Sequence, residues 1–212
     1  MTISSTVVRD HERLSDLVTR VQSIEPGQDA RGAVDQAVTA VVAHVSTTRR
    51  HLHETVQVAA GDGCASADEH SLRRLEVAAA DVLRSNLGDG RLRAGRLVVL
   101  ARLADALAQH RHVEEDGGLL LRLEQSVPPQ ASTELAQRLT DGLNDSPSRP
   151  HPWVWRVGWL QRGLHAPLRR LDAIRDVLDN RIPPPPPRRL AIPEQPAAIE
   201  ASPLLAGTGP AA

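Results

Sequence analysis

Along most of the first 127 positions, apolar residues recur at steps of three and four, the spacing that lines one face of an α-helix. The first seam is Val7, His11, Leu14, Val18 and Val21, and Ser/Thr caps before it with Pro26-Gly27 after it predict a helix from about Ser4 to Ser23. The second is Val34, Val38, Val41, Val45, Thr48 and Leu52, with His44 at its edge; it predicts a helix from near Asp29 to about Ala59, ahead of Gly61-Asp62-Gly63. A third helix, with Leu72, Leu75, Ala79 and Val82 as its seam, is expected from about Asp68 to Leu87, before Gly88-Asp89-Gly90. The fourth is expected from about Leu92 to Ser126, stopped by Pro128-Pro129, and its seam runs Leu100, Leu103, Leu107, His110, Glu114, Gly117 and Leu121. Four long amphipathic segments on short connections predict an all-α fold, an antiparallel up-down-up-down four-helix bundle over 1–127.

Beyond it, Gln130 to Leu143 reads as a short fifth helix, which with a linker fills 128–146. A helical extension carrying Trp153, Trp155 and Trp159 among Arg156, Arg162, Arg169 and Arg170 spans 147–182. It is expected to pack on the bundle, with contact to a membrane or a protein partner as the sharper alternative. The Pro/Ala-rich tail, 183–212, is expected to be extended and disordered, and its proline run suits a polyproline-binding partner.

Composition supports helices: Phe and Tyr are absent, and the core must come from Leu, Val and Ala. The net charge of -1 gives no field for nucleic acid. A single cysteine, Cys64, excludes an internal disulfide and a thiolate metal cluster. With no apolar run long enough to span a bilayer and no basic-then-apolar start, a cytoplasmic location is expected.

The chemistry concentrates where the fourth seam turns polar. His110 and Glu114 sit one turn apart on a face that is otherwise apolar, and burying them without partners would cost several kcal/mol. A metal ion, a polar partner or water must meet them there. His11 occupies a seam position on the first helix and His44 borders the second. Counting about 1.5 Å per residue from the connecting turns puts His11 level with His44, and His70 level with His110.

These elements together, DHERLSDLV, AHVSTTRRHLHETV and HRHVEEDGGLLLRL, resemble the haemerythrin-like (HHE cation-binding) family over Val8 to Leu123. The resemblance implies His11, His44, His70, His110 and Glu114 as metal ligands, with Glu115 outside the ligand set and Glu69 as the alternative to His70. It implies non-haem iron, di-iron or mono-iron, and binding or sensing of dioxygen, nitric oxide or peroxide; weak peroxide or nitric oxide chemistry would follow if iron is bound, without turnover of an organic substrate. The sequence departs from the pattern at Thr48, where a bridging carboxylate is expected, and at Arg49, Arg50 and Arg74. Thr is a poor ligand and the arginines oppose a second cation, so a single Fe²⁺ or Zn²⁺ is chemically easier. Arg74 is placed to reach Glu114 and take over the metal's charge. On that alternative the chain is a metal-free bundle serving as an interaction or membrane-peripheral scaffold through its C-terminal helix. A phosphotransfer bundle with one exposed histidine is disfavoured, because the histidines lie on seams.

Overall fold

The computed structural model describes residues 1–86, 94–151 and 158–178, and among them all regular structure is helical. Helix α1 (Ile3–Gln22) starts where Thr2 caps it: the Thr2 hydroxyl accepts from the Ser5 N–H at 3.2 Å, and the Thr2 N–H donates to the Ser5 hydroxyl at 3.0 Å. Helix α2 (Arg31–His51) passes into α3 (His53–Asn86) through Leu52, which keeps helical-region dihedrals. Helical hydrogen bonding carries across it, from the Leu52 N–H to the Thr48 carbonyl and from the Val56 N–H to the Leu52 carbonyl, both 2.8 Å. The real break is at Gly61, whose φ of 81° lies in the region glycine tolerates without strain. The glycine turn expected between the second and third seams is therefore present, although regular helix resumes well before Asp68.

The fourth segment differs from expectation. Helix α4 (Ala94–Arg111) gives way to one π-helical turn (His112–Asp116), closed by the Gly117 N–H donating to the His112 carbonyl at 2.7 Å. Gly118 follows at φ 74°, and a separate α5 (Leu119–Ser126) begins. An extra residue per turn and a left-handed glycine together shift the register, so Leu121, expected on the seam, is 61% exposed while Leu119, Leu120 and Leu123 are buried. Helix α6 (Pro129–Asn144) starts with proline in its first turn and matches the predicted fifth helix within one residue at each end. Helix α7 (Gly158–Leu178) holds the described part of the extension. Trp153, Trp155 and the 183–212 tail lie outside the described residues.

Helix α1 packs against α2 and α4, α2 against α3, and α3 against α4, while α5 and α6 close on α1, α2 and α3. The apolar core is in two parts. One contains Leu14, Val18, Val38, Val41, Leu75, Leu103 and Leu107; the other contains Ile3, Val7, Leu52, Val56, Leu119, Leu123 and Leu139. Each of the first four helical segments crosses from one cluster to the other, and at the crossing each carries a buried polar residue. No described helix is long and apolar enough to cross a membrane.

Candidate metal centre

Between the two apolar clusters lies a polar layer. Helix α1 contributes His11 between Val7 and Leu14, α2 contributes His44, α3 contributes Asp68 between Ala65 and Leu72, α4 contributes His110, and the π-turn contributes Glu114; all five are buried. The imidazole ring centres form a triangle with sides of 4.9, 5.2 and 5.1 Å. One potential ligand atom from each of His11, His44, His110 and Glu114 falls within 4.8 Å of the others.

The hydrogen bonds behind the rings determine which nitrogen faces inward. His44 Nδ1 lies 2.9 Å from Asp10 Oδ2, and His11 Nδ1 lies 2.7 Å from Glu115 Oε1. A carboxylate only accepts, so each Nδ1 carries the proton. His110 Nδ1 meets the Ser71 hydroxyl at 2.8 Å, and that hydroxyl donates its one proton to the Asp68 carbonyl at 2.7 Å. Its lone pair is left to accept, so His110 Nδ1 is protonated as well. All three Nε2 lone pairs are thereby turned to the centre. His44 Nε2 and His110 Nε2 stand 2.9 Å apart, His11 Nε2 faces Glu114 Oε2 at 3.2 Å, and His110 Nε2 lies 3.5 Å from Glu114 Oε1. Three buried atoms here, His11 Nε2, Glu114 Oε2 and Asp68 Oδ1, have no hydrogen-bond partner. Acceptors facing acceptors in a buried interior hold together only around a donor or cation, whether protons, water or a metal ion.

The titration of these groups reports the same crowding. Burial, and then the charge of Glu114, pushes Asp68 up to about 8, and burial pushes Glu114 up to about 7. Burial holds His11 below its ordinary value, and burial with the neighbouring His44 and His11 holds His110 well below it. Outside the layer, Glu115 is pushed up by burial but more strongly held down by hydrogen bonds from Arg111 and His11. The π-turn makes this division of labour possible: adjacent residues Glu114 and Glu115 reach, respectively, the centre and the back of His11.

Of the five expected ligands, the structure brings His11, His44, His110 and Glu114 together and leaves His70 outside. His70 is exposed and lines a surface groove between α3 and α4 with Arg73, Arg74, Arg102 and Asp105. A helix turns about 100° per residue, so a side chain two positions beyond Asp68 points to the opposite face. The alternative, Glu69, is half-exposed and bonds Arg49. Asp68 takes the α3 position, a residue that sequence reasoning had used only as a helix boundary. It lies one four-residue step before Leu72, so extending the seam backwards would have found it. Arg74 is exposed and does not reach Glu114. Among the described residues the buried arginine is Arg49, whose guanidinium donates to Glu76 Oε2 at 2.6 Å and to both oxygens of Glu69.

Compared with known proteins, the chain matches no family model, no curated protein and no solved structure.

Proposed function

We propose that the polar layer is a metal centre of haemerythrin-like character within an up-down-up-down bundle, holding non-haem iron and serving to bind or sense dioxygen, nitric oxide or peroxide. The observation that carries this reading is the convergence of three imidazole lone pairs on buried carboxyl groups, with His11 Nε2, Glu114 Oε2 and Asp68 Oδ1 left without a hydrogen-bond partner. His11, His44, His110 and Glu114 would hold the ion. Asp10, Glu115 and Ser71 fix the ring orientations by accepting the Nδ1 protons, the arrangement by which proteins aim imidazoles at a cation and raise their basicity. Imidazole with carboxylate suits borderline divalent ions, iron among them. Bound iron would supply a reversible one-electron couple and a coordination position for a small diatomic ligand or peroxide. The apolar clusters on either side keep bulk water away from it.

Anaerobic loading with Fe²⁺, followed by desalting, metal analysis and near-ultraviolet spectra before and after exposure to air, tests the reading. Retained iron with a raised Tm and an air-dependent absorption band is the expected result. No retained metal and an unchanged Tm would reject it in favour of a metal-free scaffold. That second reading draws on α7, where Leu171, Ile174 and Val177 form an exposed apolar stripe.

A further inference from the structure

We infer that the centre takes one divalent ion, not two, with Asp68 as a fifth ligand beside His11, His44, His110 and Glu114, and with Arg49 as the permanent cation of the adjoining layer. This deepens the metal reading and rests on it. The first ground is the distribution of buried charge. Among the described residues around the centre, Asp10 is paired with Arg13 at 3.3 Å and Glu115 with Arg111 at 3.0 Å. Glu76 and half-exposed Glu69 share Arg49 at 2.6 and 3.0 Å. Around the centre, Glu114 and Asp68 remain as the buried carboxylates for which no arginine partner is seen. One divalent ion balances two carboxylates, whereas two such ions would leave about two positive charges uncompensated in a medium that penalises each by several kcal/mol.

The second ground is the donor set itself. Asp68 Oδ1 is buried, lacks a hydrogen-bond partner and belongs to a carboxylate within hydrogen-bonding reach of Glu114. Its backbone carbonyl is tied to Ser71, whose hydroxyl orients His110, so the α3 turn that presents Asp68 also sets one of the imidazoles. Three nitrogens and two carboxylates make a complete five-ligand set for one ion of the Fe²⁺, Mn²⁺ or Zn²⁺ type. The third ground is where further carboxylates lie. On α2 and α3 beside the centre, Glu69 and Glu76 are the acids that a second ion would recruit, and Arg49 already holds both.

The test is metal stoichiometry in the full-length chain, loaded anaerobically with Fe²⁺ and separately with Co²⁺ as a spectroscopic probe, together with the Asp68→Asn variant. One ion per chain is expected, and Asp68→Asn is expected to weaken Co²⁺ binding by roughly 10–100-fold or more, at least the loss seen when an outer partner of a ligand is removed. Two ions per chain would overturn the inference and leave the metal reading standing. No bound metal would overturn both. One ion with unchanged Co²⁺ affinity in Asp68→Asn would remove Asp68 from the ligand set and overturn the five-ligand assignment.

Discussion

Two buried polar clusters sit side by side on α2 and α3, and they are built on opposite principles. Around Arg49, donors and acceptors match: the guanidinium meets Glu76 and Glu69, and Glu76 takes a further hydrogen bond from the His151 N–H at 3.1 Å. Around His44 and Asp68, three imidazole lone pairs meet buried carboxyl groups, and three of the atoms involved find no partner. A protein that merely tolerated polar residues in its interior would pair them, as it does one turn away. The difference separates a cluster complete in itself from one completed by something added. Neutralising a member should therefore have opposite consequences in the two places.

The largest effect is expected from Arg49→Met. Removing the guanidinium leaves Glu76 buried beside a vanished partner, and breaking a pair at this depth costs about 3–5 kcal/mol. Urea unfolding of the metal-free protein measures it. A loss under about 1 kcal/mol, the range of exposed pairs, would mean that the Arg49 cluster is no more self-sufficient than the histidine layer.

Glu114→Gln is the converse experiment. At about pH 8 the metal-free protein holds a carboxylate that burial disfavours, and exchanging it for an amide should stabilise that form by about 1–3 kcal/mol, the penalty for an unsatisfied buried group. Metal binding should be abolished or strongly weakened in the same variant. Stabilisation without metal together with loss of metal binding is the signature of a site held open for a ligand. Destabilisation would place Glu114 in a satisfied hydrogen-bonded pair and erase the contrast.

A pH series examines the contrast without mutation. The values of Asp68 and Glu114 are raised to about 8 and about 7, so their contribution to the metal-free fold is fully present below the unfolded values near 4 and is lost as pH rises through 7 to 8. His11 and His110 are lowered, so what they contribute is present above 6.5 and is lost as pH falls below it. From about pH 6.5 to about pH 8.5 the carboxylates dominate, and the Tm of the metal-free protein should fall across that interval. A bound cation replaces the protons, so the gain in Tm on adding Fe²⁺ or Co²⁺ should widen over the same range. A gap that stays constant with pH would mean that the added metal binds elsewhere.

How much of this was legible beforehand differs by element, for a physical reason. The seams through Val7 to Val21, Val34 to Leu52, Leu72 to Val82 and Leu100 to Leu107 reported burial faithfully, because a regular helix repeats its inward face every three or four residues. They therefore placed His11, His44, His110 and Glu114. The same rule failed where the backbone stopped being regular. The turn at His112–Asp116 follows a wider repeat, and Gly118 resets the register, so Leu121 moved outward. The Gly117-Gly118 pair was the available signal. On α3 the expectation followed residue type, looking for an imidazole or a glutamate, whereas periodicity pointed to Asp68. The Arg49 cluster was hidden for another reason: periodicity separates inside from outside, and an arginine near the end of a helical seam reads as exposed until its two glutamates are found on the next helix.

The smallest effect expected is also the one that separates geometry from pattern. His70 is the histidine that family-like spacing favours, and it stands exposed among Arg73 and Arg74, two positions around α3 from Asp68. His70→Ala should leave metal content unchanged and shift stability by no more than about 0.5 kcal/mol, the usual range for a surface substitution. Metal analysis after parallel loading of wild type, His70→Ala and Asp68→Asn places the two candidate ligands in direct competition. If His70→Ala loses metal while Asp68→Asn keeps it, α3 must turn by about half a revolution on loading, and Ser71 would then leave His110 Nδ1. That outcome would also undo the reason for assigning the Nδ1 proton of His110. The position of Asp68 on the buried seam, one turn before Leu72, argues against such a rotation: it would drag Leu72 and Leu75, both fully buried, into water at about 1.5–3 kcal/mol each.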